Sequence, residues 1–100
     1  MTEIVRTFYE NGLAKEEYFE KDGKREGKCD AFYINGKHYS TCNYVNGKVE
    51  GKYVIYHENR NAHVAYNYVG GKVEGLCREY DENGRLRYTF SYVDGKLTYN

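Results

Sequence analysis

The chain has 100 residues, and its 15 basic and 15 acidic side chains give a formal net charge of zero at neutral pH. That length is typical of one domain, and the balanced charge argues against a surface built for nucleic acid or for an anionic membrane. The 13 tyrosines favour pleated sheet, and the absence of proline leaves nothing to interrupt a strand.

The start of the chain carries no export signal. No apolar segment of the secretory kind follows Met1, and no apolar run approaches the roughly 18 residues needed to span a bilayer. We therefore expect a soluble, cytoplasmic protein. In a reducing compartment Cys29, Cys42 and Cys77 are most simply free thiols.

One phrase recurs along the chain at a fixed interval of 24 residues. YVNGKVEGKY at 44–53 returns as YVGGKVEGLC at 68–77, and related phrases begin at Phe19 and Tyr92. The residues that keep this step are Gly23, Gly47, Gly71, Gly95, Lys24, Lys48, Lys72 and Lys96. A fixed period of this size is typical of a repeat architecture.

Each period holds two turn signals about ten residues apart. The first is Asn-Gly, at 11–12, 35–36 and 83–84; the second is Asp-Gly, Asn-Gly or Gly-Gly, at 22–23, 46–47, 70–71 and 94–95. Both tolerate the positive φ angles of a two-residue type I′ hairpin turn, and the interval suits one short strand. Glycine recurs too often for helices of ordinary length.

The sequence therefore predicts an all-β fold, an antiparallel β-hairpin meander of about eight strands in a curved single sheet. One domain, 1–100, is divided into four 24-residue repeats at about 1–24, 25–48, 49–72 and 73–96, followed by a short terminal strand at 97–100. One repeat cannot bury its apolar face alone, so stacked repeats make the core continuous.

Two-residue loops also set the strand register. In the second repeat the predicted pairs are Cys29–Cys42, Ala31–Ser40 and Tyr33–His38. Other predicted pairs are Val5–Tyr18, Tyr53–Tyr66, Cys77–Phe90 and Val49–Tyr44. The pairs Gly27–Tyr18, Gly51–Cys42 and Gly75–Tyr66 place glycine beneath a neighbour of the preceding strand, which restores packing and permits the sheet to bend.

Strand alternation then predicts one mainly apolar face and one mixed face. The apolar face collects Val5, Tyr18, Cys29, Ala31, Cys42, Tyr44, Tyr53, Ile55, Val64, Tyr66, Tyr68, Cys77, Leu86, Tyr88, Phe90 and Tyr92. The mixed face carries polar residues, an aromatic row (Phe8, Phe32, Tyr56, Tyr80) and a valine row (Val45, Val69, Val93).

The stretch YVNGKVEGKYVIYHENRNAHVAY resembles the MORN repeat in a variant form, G-K-x-x-G-x-x-x-x-Y-x-x-N-G, which recurs in antitoxin-like repeat proteins. The resemblance covers essentially the whole chain in four copies, although the Trp that the common form often carries is absent. It implies a β-hairpin repeat scaffold that binds proteins, dimerises or, in some members, contacts phosphoinositide membranes.

No constellation of catalytic or metal-binding residues stands out. Alternation sends His57 and His63 to opposite faces, His38 lies one strand away, and no third ligand joins them at zinc spacing. No nucleophile–base pair or phosphate-cradling loop is visible. We therefore expect no catalytic site, no metal and no cofactor in a protein that is not an enzyme.

The opposed pair Cys29–Cys42 leaves two alternatives. Directly opposed Cβ atoms lie about 4.5–5.5 Å apart, which is close to what a disulfide requires. The alternative, favoured in a reducing compartment, is a pair of small core residues that stand where other repeats have larger side chains. Cys77 lies too many strands away to bridge Cys29.

The lysine series offers one candidate anion site. Lys24, Lys48, Lys72 and Lys96 are predicted to form a ladder along one edge, which could bind phosphate or lipid headgroups. Glu26, Glu50 and Glu74 follow two residues later on the same edge and neutralise it. Ordinary solvation of a turn is therefore the favoured interpretation.

The tyrosine-rich face and the N-terminal edge strand are the candidate partner surfaces. The predicted partner-binding residues are Tyr44, Tyr66, Tyr68, Tyr88, Phe90 and Tyr92. The edge strand, about Glu3 to Tyr9, invites strand addition by a partner or by a second copy in a homodimer. We expect a non-enzymatic protein-interaction scaffold; the alternatives are a small-ligand or phosphoinositide-binding module and an antitoxin-like inhibitor of a partner protein.

Overall fold

The computed structural model describes residues 2–98, and these residues form strands and turns throughout. The strands are β1 (Thr2–Phe8), β2 (Ala14–Lys21), β3 (Lys24–Phe32), β4 (His38–Val45), β5 (Lys48–Val49), β6 (Gly51–Tyr56), β7 (Ala62–Val69), β8 (Lys72–Val73), β9 (Gly75–Tyr80), β10 (Leu86–Val93) and β11 (Lys96–Thr98). No bilayer-spanning helix occurs within this range.

All eleven strands belong to one antiparallel sheet that does not close. The order is β1-β2-β3-β4-β6-β7-β9-β10-β11, with β5 paired to β4 and β8 paired to β7. The predicted all-β meander is therefore confirmed. More strands than predicted are present because irregularities at Glu50 and Glu74 each divide one expected strand into two pieces. The predicted terminal strand runs beyond Thr98 into 99–100, which lie outside the described residues, as does Met1.

The second turn of each repeat has the predicted geometry. Its two central residues both have positive φ, as at Asn46 (54°) and Gly47 (82°), and Val45 pairs directly with Lys48. The same pairing closes the turns after Lys21, Val69 and Val93. Asp-Gly, Asn-Gly and Gly-Gly therefore all act here as two-residue type I′ turns.

The first turn of each repeat differs from the prediction. At Asn35 only the following Gly36 has positive φ (88°); the Gly36 N–H donates to the Tyr33 carbonyl (2.9 Å) and the Tyr33 N–H to the Lys37 carbonyl (2.7 Å). This is a three-residue loop of the kind that ends in a left-handed residue. The asparagine is explained by its side chain, since the Asn35 Oδ1 accepts a bond from the Lys37 N–H (3.1 Å).

The longer loop puts an extra residue on the returning strand, which shifts the pairing. Phe32, and not Tyr33, pairs with His38, so the predicted Tyr33–His38 pair is wrong. In the third repeat, the corresponding shift between Ile55 and Tyr56 lies beside His63. His57 and His63 therefore lie together, with ring centroids 4.2 Å apart, and their predicted separation to opposite faces is wrong.

The predicted glycine pairs are also wrong. Tyr44 pairs with Val49, but four residues earlier Ser40 pairs with Ile55, so the returning strand carries two additional residues around Glu50. The observed glycine pairs are Gly27–Tyr44, Gly51–Tyr68 and Gly75–Tyr92, each with the tyrosine of the following strand. An insertion of two residues keeps the alternation of side chains, so the predicted faces survive.

The core is a thin layer on the predicted apolar face. Its buried apolar residues are Cys29, Cys42, Val64 and Cys77, accompanied by Ser40. The valine row of the mixed face is exposed, and so is Tyr88 of the apolar face. Leu86 pairs with Tyr80 of the aromatic row, because the register shifts between Leu86 and Tyr88, so its predicted place on the apolar face is wrong. The fourth repeat therefore presents apolar side chains that the second and third repeats cover.

Side chains link each repeat to the next. The Tyr9 hydroxyl donates to the Phe32 carbonyl and the Tyr33 hydroxyl to the Tyr56 carbonyl, both at 2.7 Å, and the His57 Nε2 lies 2.9 Å from the Tyr80 carbonyl. Because these partners are 23 residues apart, each bond spans one period. Buried or half-buried backbone carbonyls thus gain partners that the ladder does not supply.

The fourth repeat replaces two of these connecting residues. Asp81 stands where Tyr9, Tyr33 and His57 stand, and its Oδ1 accepts from the Arg85 and Asn83 N–H groups (both 2.9 Å) of its own loop, which lowers the pKa of that carboxyl. Thr98 occupies the position equivalent to Glu74, whose carboxylate accepts a hydrogen bond from the Asp94 N–H of the next turn (2.8 Å). The Thr98 hydroxyl instead donates to the Ser91 carbonyl (3.1 Å). At both positions the side chain bonds to its own loop or to the adjacent strand and not to a following repeat.

Candidate functional site

The tyrosine-rich face has an aromatic cluster at its C-terminal end, which consists of Tyr66, Phe90 and Tyr92. Ring centroids are separated by 6.4 Å for Tyr66–Phe90, 6.3 Å for Tyr66–Tyr92 and 5.9 Å for Phe90–Tyr92, and all three pairs meet edge to face. This geometry matches the quadrupoles of the rings and holds each ring in one orientation. The cluster is a preformed, half-buried apolar platform.

An open apolar cavity of about 400 Å³ borders this cluster. It is lined by Glu79, Tyr88, Thr89, Phe90, Tyr92 and Leu97. Tyr88 is 55% exposed and Leu97 42% exposed, so both present free apolar surface at the rim. Large exposed apolar side chains beside a fixed platform are typical of a protein interaction surface. We call the cluster together with this cavity the aromatic patch.

The structure distributes the six predicted partner-binding residues over two places. Tyr66, Tyr88, Phe90 and Tyr92 belong to the aromatic patch. Tyr68 packs instead against Tyr53, with ring centroids 5.8 Å apart, and Tyr44 lies near Arg25, whose guanidinium carbon is 5.6 Å from the Tyr44 ring centre. Burial raises the pKa of Tyr44, Tyr66 and Tyr68, which keeps these phenols neutral and able to donate hydrogen bonds.

The second repeat carries a different group on the same face, which we call the thiol cluster: Glu16, Arg25, Cys29 and Cys42. Cys29 pairs directly with Cys42, as predicted, and both are free thiols. The Arg25 Nη1 donates to the Cys29 Sγ (3.6 Å) and to the Glu16 Oε2 (3.1 Å). The guanidinium also lies 3.8 Å from the centre of the Tyr18 ring.

The electrostatics of the thiol cluster separate the two cysteines. A hydrogen bond from Cys42, followed by the nearby charge of Arg25, lowers the pKa of Cys29 to about 7. The same bond, together with burial, raises the pKa of Cys42. Burial alone would lower the pKa of Arg25, but its hydrogen bond and charge pairing with Glu16 outweigh that effect and raise it.

The lysine series lies along the second turns but is engaged in packing. The alkyl carbons of Lys48 come within 3.5 Å of the position that a Cβ on Gly71 would take, and Lys24 and Lys72 lie similarly over Gly47 and Gly95. The Lys72 ammonium is also 3.4 Å from the Asp94 carboxylate. Lys96 begins β11.

The glutamates of the same edge have partners as well. Glu26, Glu50 and Glu74 each accept a bond from a backbone N–H of the next second turn, at 2.8–2.9 Å. These carboxylates therefore serve the stacking of the repeats, in addition to balancing the lysines.

The mixed face holds an open cavity of about 500 Å³. It is lined by Lys28, Asp30, Phe32, Gly36, Lys37, His38, Tyr56 and Arg60. The His38 ring stacks on Tyr56 (4.9 Å between centroids), and its Nε2 lies 2.9 Å from the Asp30 Oδ1. Lys28, Lys37 and Arg60 bring three cations to this cavity, and the Lys28 ammonium lies 3.8 Å from the Asp30 carboxylate.

Metal chemistry finds no support among residues 2–98, since no three His, Cys, Asp or Glu side chains converge there. His63 instead pairs with Glu79, its Nε2 lying 3.2 Å from the Oε1.

Sequence reasoning missed Glu16, Arg25 and Leu97 as site residues. The signal for Arg25 was present: the equivalent positions of the later repeats hold Val49, Val73 and Leu97. A charged residue in an apolar series indicates a local partner, which here is Glu16. Leu97 gave no comparable signal, because its exposure depends on how the meander ends.

The structure is an open β meander of 24-residue repeats, with the aromatic patch and the thiol cluster on the same face. No family model matches the chain, and no curated protein matches it. Several solved chains resemble it in fold, and two of them illustrate the likeness. One is TarM from S. aureus, a mutant solved with fondaparinux, alpha-GlcNAc-glycerol and UDP: the TM-score is 0.59, the identity is 16%, and the match covers 97% of this chain and 19% of TarM.

The other similar structure contains accessory secretory proteins 1, 2 and 3 of Streptococcus pneumoniae. Its TM-score is 0.54 and its identity 10%, over 92% of this chain and 17% of the matched chain. This chain therefore spans about a fifth of the length of the solved chains it resembles. At these identities the likeness establishes an all-β repeat meander that recurs as part of larger proteins, and nothing about activity.

Proposed function

We propose that this chain is a non-enzymatic, cytoplasmic module of MORN-like repeats that binds a protein partner through the aromatic patch. The observation that carries the proposal is the exposure of Tyr88 and Leu97 beside the fixed rings of Phe90 and Tyr92. Interaction surfaces gain most of their affinity from a few such aromatic and aliphatic anchors around a desolvated centre.

The chemistry of the patch favours a protein over a small molecule. The cavity is open, and its one carboxylate, Glu79, already pairs with His63. Small-ligand sites usually enclose their ligand and add several convergent polar groups. A shallow apolar hollow lined by tyrosine instead suits an apolar side chain projected by a partner protein, because tyrosine offers a large contact area at little cost in rotamer entropy.

The N-terminal edge strand β1 offers an alternative site for a partner. The edge strand β1 leaves one row of backbone groups unpaired within the sheet and exposes Ile4 and Phe8, so a second copy is an alternative occupant there. An inhibitory, antitoxin-like role would be one outcome of binding through either surface, and the geometry of the patch is compatible with it.

A second candidate function is the binding of a small anion or phosphoinositide headgroup. The cavity on the mixed face favours it, because Lys28, Lys37 and Arg60 all line that cavity. The lysine series favours it less, since Lys24, Lys48 and Lys72 cover glycines.

Affinity capture with the immobilised chain, followed by titration of the purified partner, tests the proposal. Tyr88→Ser combined with Leu97→Ser should abolish binding, whereas Lys48→Glu combined with Lys72→Glu should leave it unchanged. Binding of the chain to liposomes with and without phosphoinositide is measured alongside these titrations. Salt-sensitive liposome binding that is lost with Lys37→Glu combined with Arg60→Glu, which removes two cations of the mixed-face cavity, together with no effect of the patch variant on any partner, would replace the proposal with the lipid alternative.

A further inference from the structure

Three members of the thiol cluster, Glu16, Arg25 and Cys42, have no counterpart of their own type in the other repeats, whereas Cys29 is matched by Cys77. Glu16 stands where the later repeats have Ser40, Val64 and Tyr88, and Arg25 stands where they have Val49, Val73 and Leu97. The pair Cys29–Cys42 corresponds to Val5–Tyr18, Tyr53–Tyr66 and Cys77–Phe90. Only the second repeat opposes two small sulfur side chains and adds an ion pair beside them.

The backbone already holds the two cysteines at the separation a disulfide needs. Directly opposed residues of an antiparallel pair have Cα atoms about 4.5–5.5 Å apart, and disulfides span about 4.4–6.8 Å. Ladder pairs on both sides, Asp30–Thr41 and Lys28–Asn43, fix this register. Bond formation therefore needs side-chain rotation and little movement of the strands.

The surroundings distinguish an attacking thiol from a resolving thiol. Cys29 receives a hydrogen bond from the Arg25 guanidinium, which stabilises a Cys29 thiolate, and its interaction with the opposed Cys42 thiol lowers the pKa of Cys29 as well. Glu16 opposes this directly but also holds Arg25 in place at 3.1 Å. The charge of Asp30 favours the protonated form of Cys42. Tyr44, Tyr53 and Tyr68 also lie near it, since, besides burial, the charge of a Cys42 thiolate raises the pKa of each phenol.

We propose that Cys29 and Cys42 form a redox-active dithiol that a hydroperoxide oxidises to a cross-strand disulfide. The Cys29 thiolate attacks the distal peroxide oxygen, which forms a sulfenic acid and, after protonation, releases the alcohol or water. The Cys42 thiol then attacks the sulfenic sulfur, which forms the S–S bond and expels one water. Two electrons pass to the peroxide, and two equivalents of a small thiol return the pair to the reduced state.

Burial selects the oxidant. Cys29 is 6% and Cys42 8% exposed, so hydrogen peroxide or a small alkyl hydroperoxide reaches the pair more readily than a protein oxidant does. Cys77 supplies an internal control, because it is fully buried, pairs with Phe90, and has a pKa that burial raises. It has no opposed thiol and no cation within hydrogen-bonding distance.

Stoichiometric hydrogen peroxide, followed by intact-mass analysis and disulfide mapping, tests the proposal. The wild-type chain should lose about two mass units in a bond between Cys29 and Cys42, and Cys77 should remain alkylatable. In Cys42→Ser the reaction should stop at a Cys29 sulfenic acid, which dimedone traps. Retention of three titratable thiols, or oxidation of Cys77 at the same rate, would overturn the proposal.

The role of the Arg25 cation is tested by replacing it with the valine found at the equivalent positions of the third and fourth repeats. Arg25→Val restores the valine of the third and fourth repeats and should slow oxidation at pH 7 by at least about fivefold. Lys52→Val, which removes an exposed cation from a strand of the third repeat, is the matched control and should leave the rate unchanged. Arg25→Lys keeps the charge and should fall between the two. Equal rates in all folded variants would rule out the cluster as the source of reactivity.

Discussion

The second and fourth repeats place different chemistry on equivalent backbone positions. Cys29 faces Cys42 in the second, with Arg25 beside them, whereas Cys77 faces Phe90 in the fourth, where Val73 takes the position of Arg25. Leu97 of the terminal strand adds an exposed apolar side chain next to the fourth repeat. The strand pairing is the same in both. The difference shows that the repeat supplies geometry, and that departures from the repeat supply function: charge and reactivity at one end, exposed apolar area at the other.

The largest expected effect comes from removing the apolar rim of the fourth repeat. Tyr88→Ser with Leu97→Ser should weaken partner binding at least about a hundredfold, because loss of two anchor side chains should cost about 2.8 kcal/mol or more. Calorimetric titration measures it. Both residues are exposed, so the thermal midpoint should barely change. If Glu16→Ser with Arg25→Val weakens partner binding by the same factor, the assignment of partner binding to the C-terminal end of the sheet is wrong.

Oxidation should stabilise the second repeat. A disulfide that closes a short loop between Cys29 and Cys42 should raise the free energy of unfolding by about 2 kcal/mol, since it restricts the unfolded chain. Urea titration of the oxidised and reduced protein measures the difference. Cys29→Ser treated in the same way should show none, and a destabilised oxidised form would mean that the pair is strained.

The two faces of the sheet should respond differently to the same truncation. Val64 is buried and Val45 is about half exposed, so Val64→Ala should cost about 1.5 kcal/mol of stability and Val45→Ala under about 0.5 kcal/mol. Paired urea titrations provide the measurement. Equal costs would show that the valine row of the mixed face is also covered, for instance by a second copy.

The pH dependence of alkylation should separate Cys29 from Cys77. Because the thiolate is the nucleophile, the Cys29 rate should rise with pH and level off above its pKa of about 7, whereas burial pushes the Cys77 pKa upward. At pH 7 iodoacetamide should label Cys29 at least about tenfold faster than Cys77. Peptide mass spectrometry at several pH values measures both rates. Superimposable profiles would contradict the separation.

The smallest effect is expected along the lysine series. Lys48→Ala removes an alkyl stem from Gly71 and an exposed charge, so its cost should be a few tenths of a kcal/mol. Partner affinity should stay within about twofold, as measured in the same titration. A tenfold loss would assign the lysines to a binding surface.

Sequence periodicity was sufficient for the sheet and the Cys29–Cys42 pair, because a 24-residue step with turn signals leaves little freedom in strand order. It assigned the faces correctly at the strand centres and wrongly beside the first turns, at His63 and Leu86. It was insufficient at Asn35-Gly36 and around Glu50, since the same dipeptide serves both two- and three-residue loops and an insertion of two residues leaves the alternation unchanged. The one-residue shift after the first turn determines the position of His63. The two additional residues around Glu50 determine which tyrosine pairs with the glycine.

The candidate sites were predictable to a lesser degree. The grouping of Tyr66, Phe90 and Tyr92 followed from strand alternation, but the contribution of Leu97 depends on how β11 ends the sheet. Arg25 reaches Cys29 through a long, flexible side chain, and its direction is set by Glu16 and Tyr18 on the neighbouring strand. Such contacts depend on side-chain conformation, which a pattern of residue types does not determine.

Hydrogen–deuterium exchange of the complex with the captured partner tests most directly whether binding belongs to the aromatic patch. We predict increased protection of amides in 86–98, with little change in 21–32. Protection concentrated in 21–32, or spread evenly along the edge strand β1, would contradict the account and move the interface away from Tyr88 and Leu97.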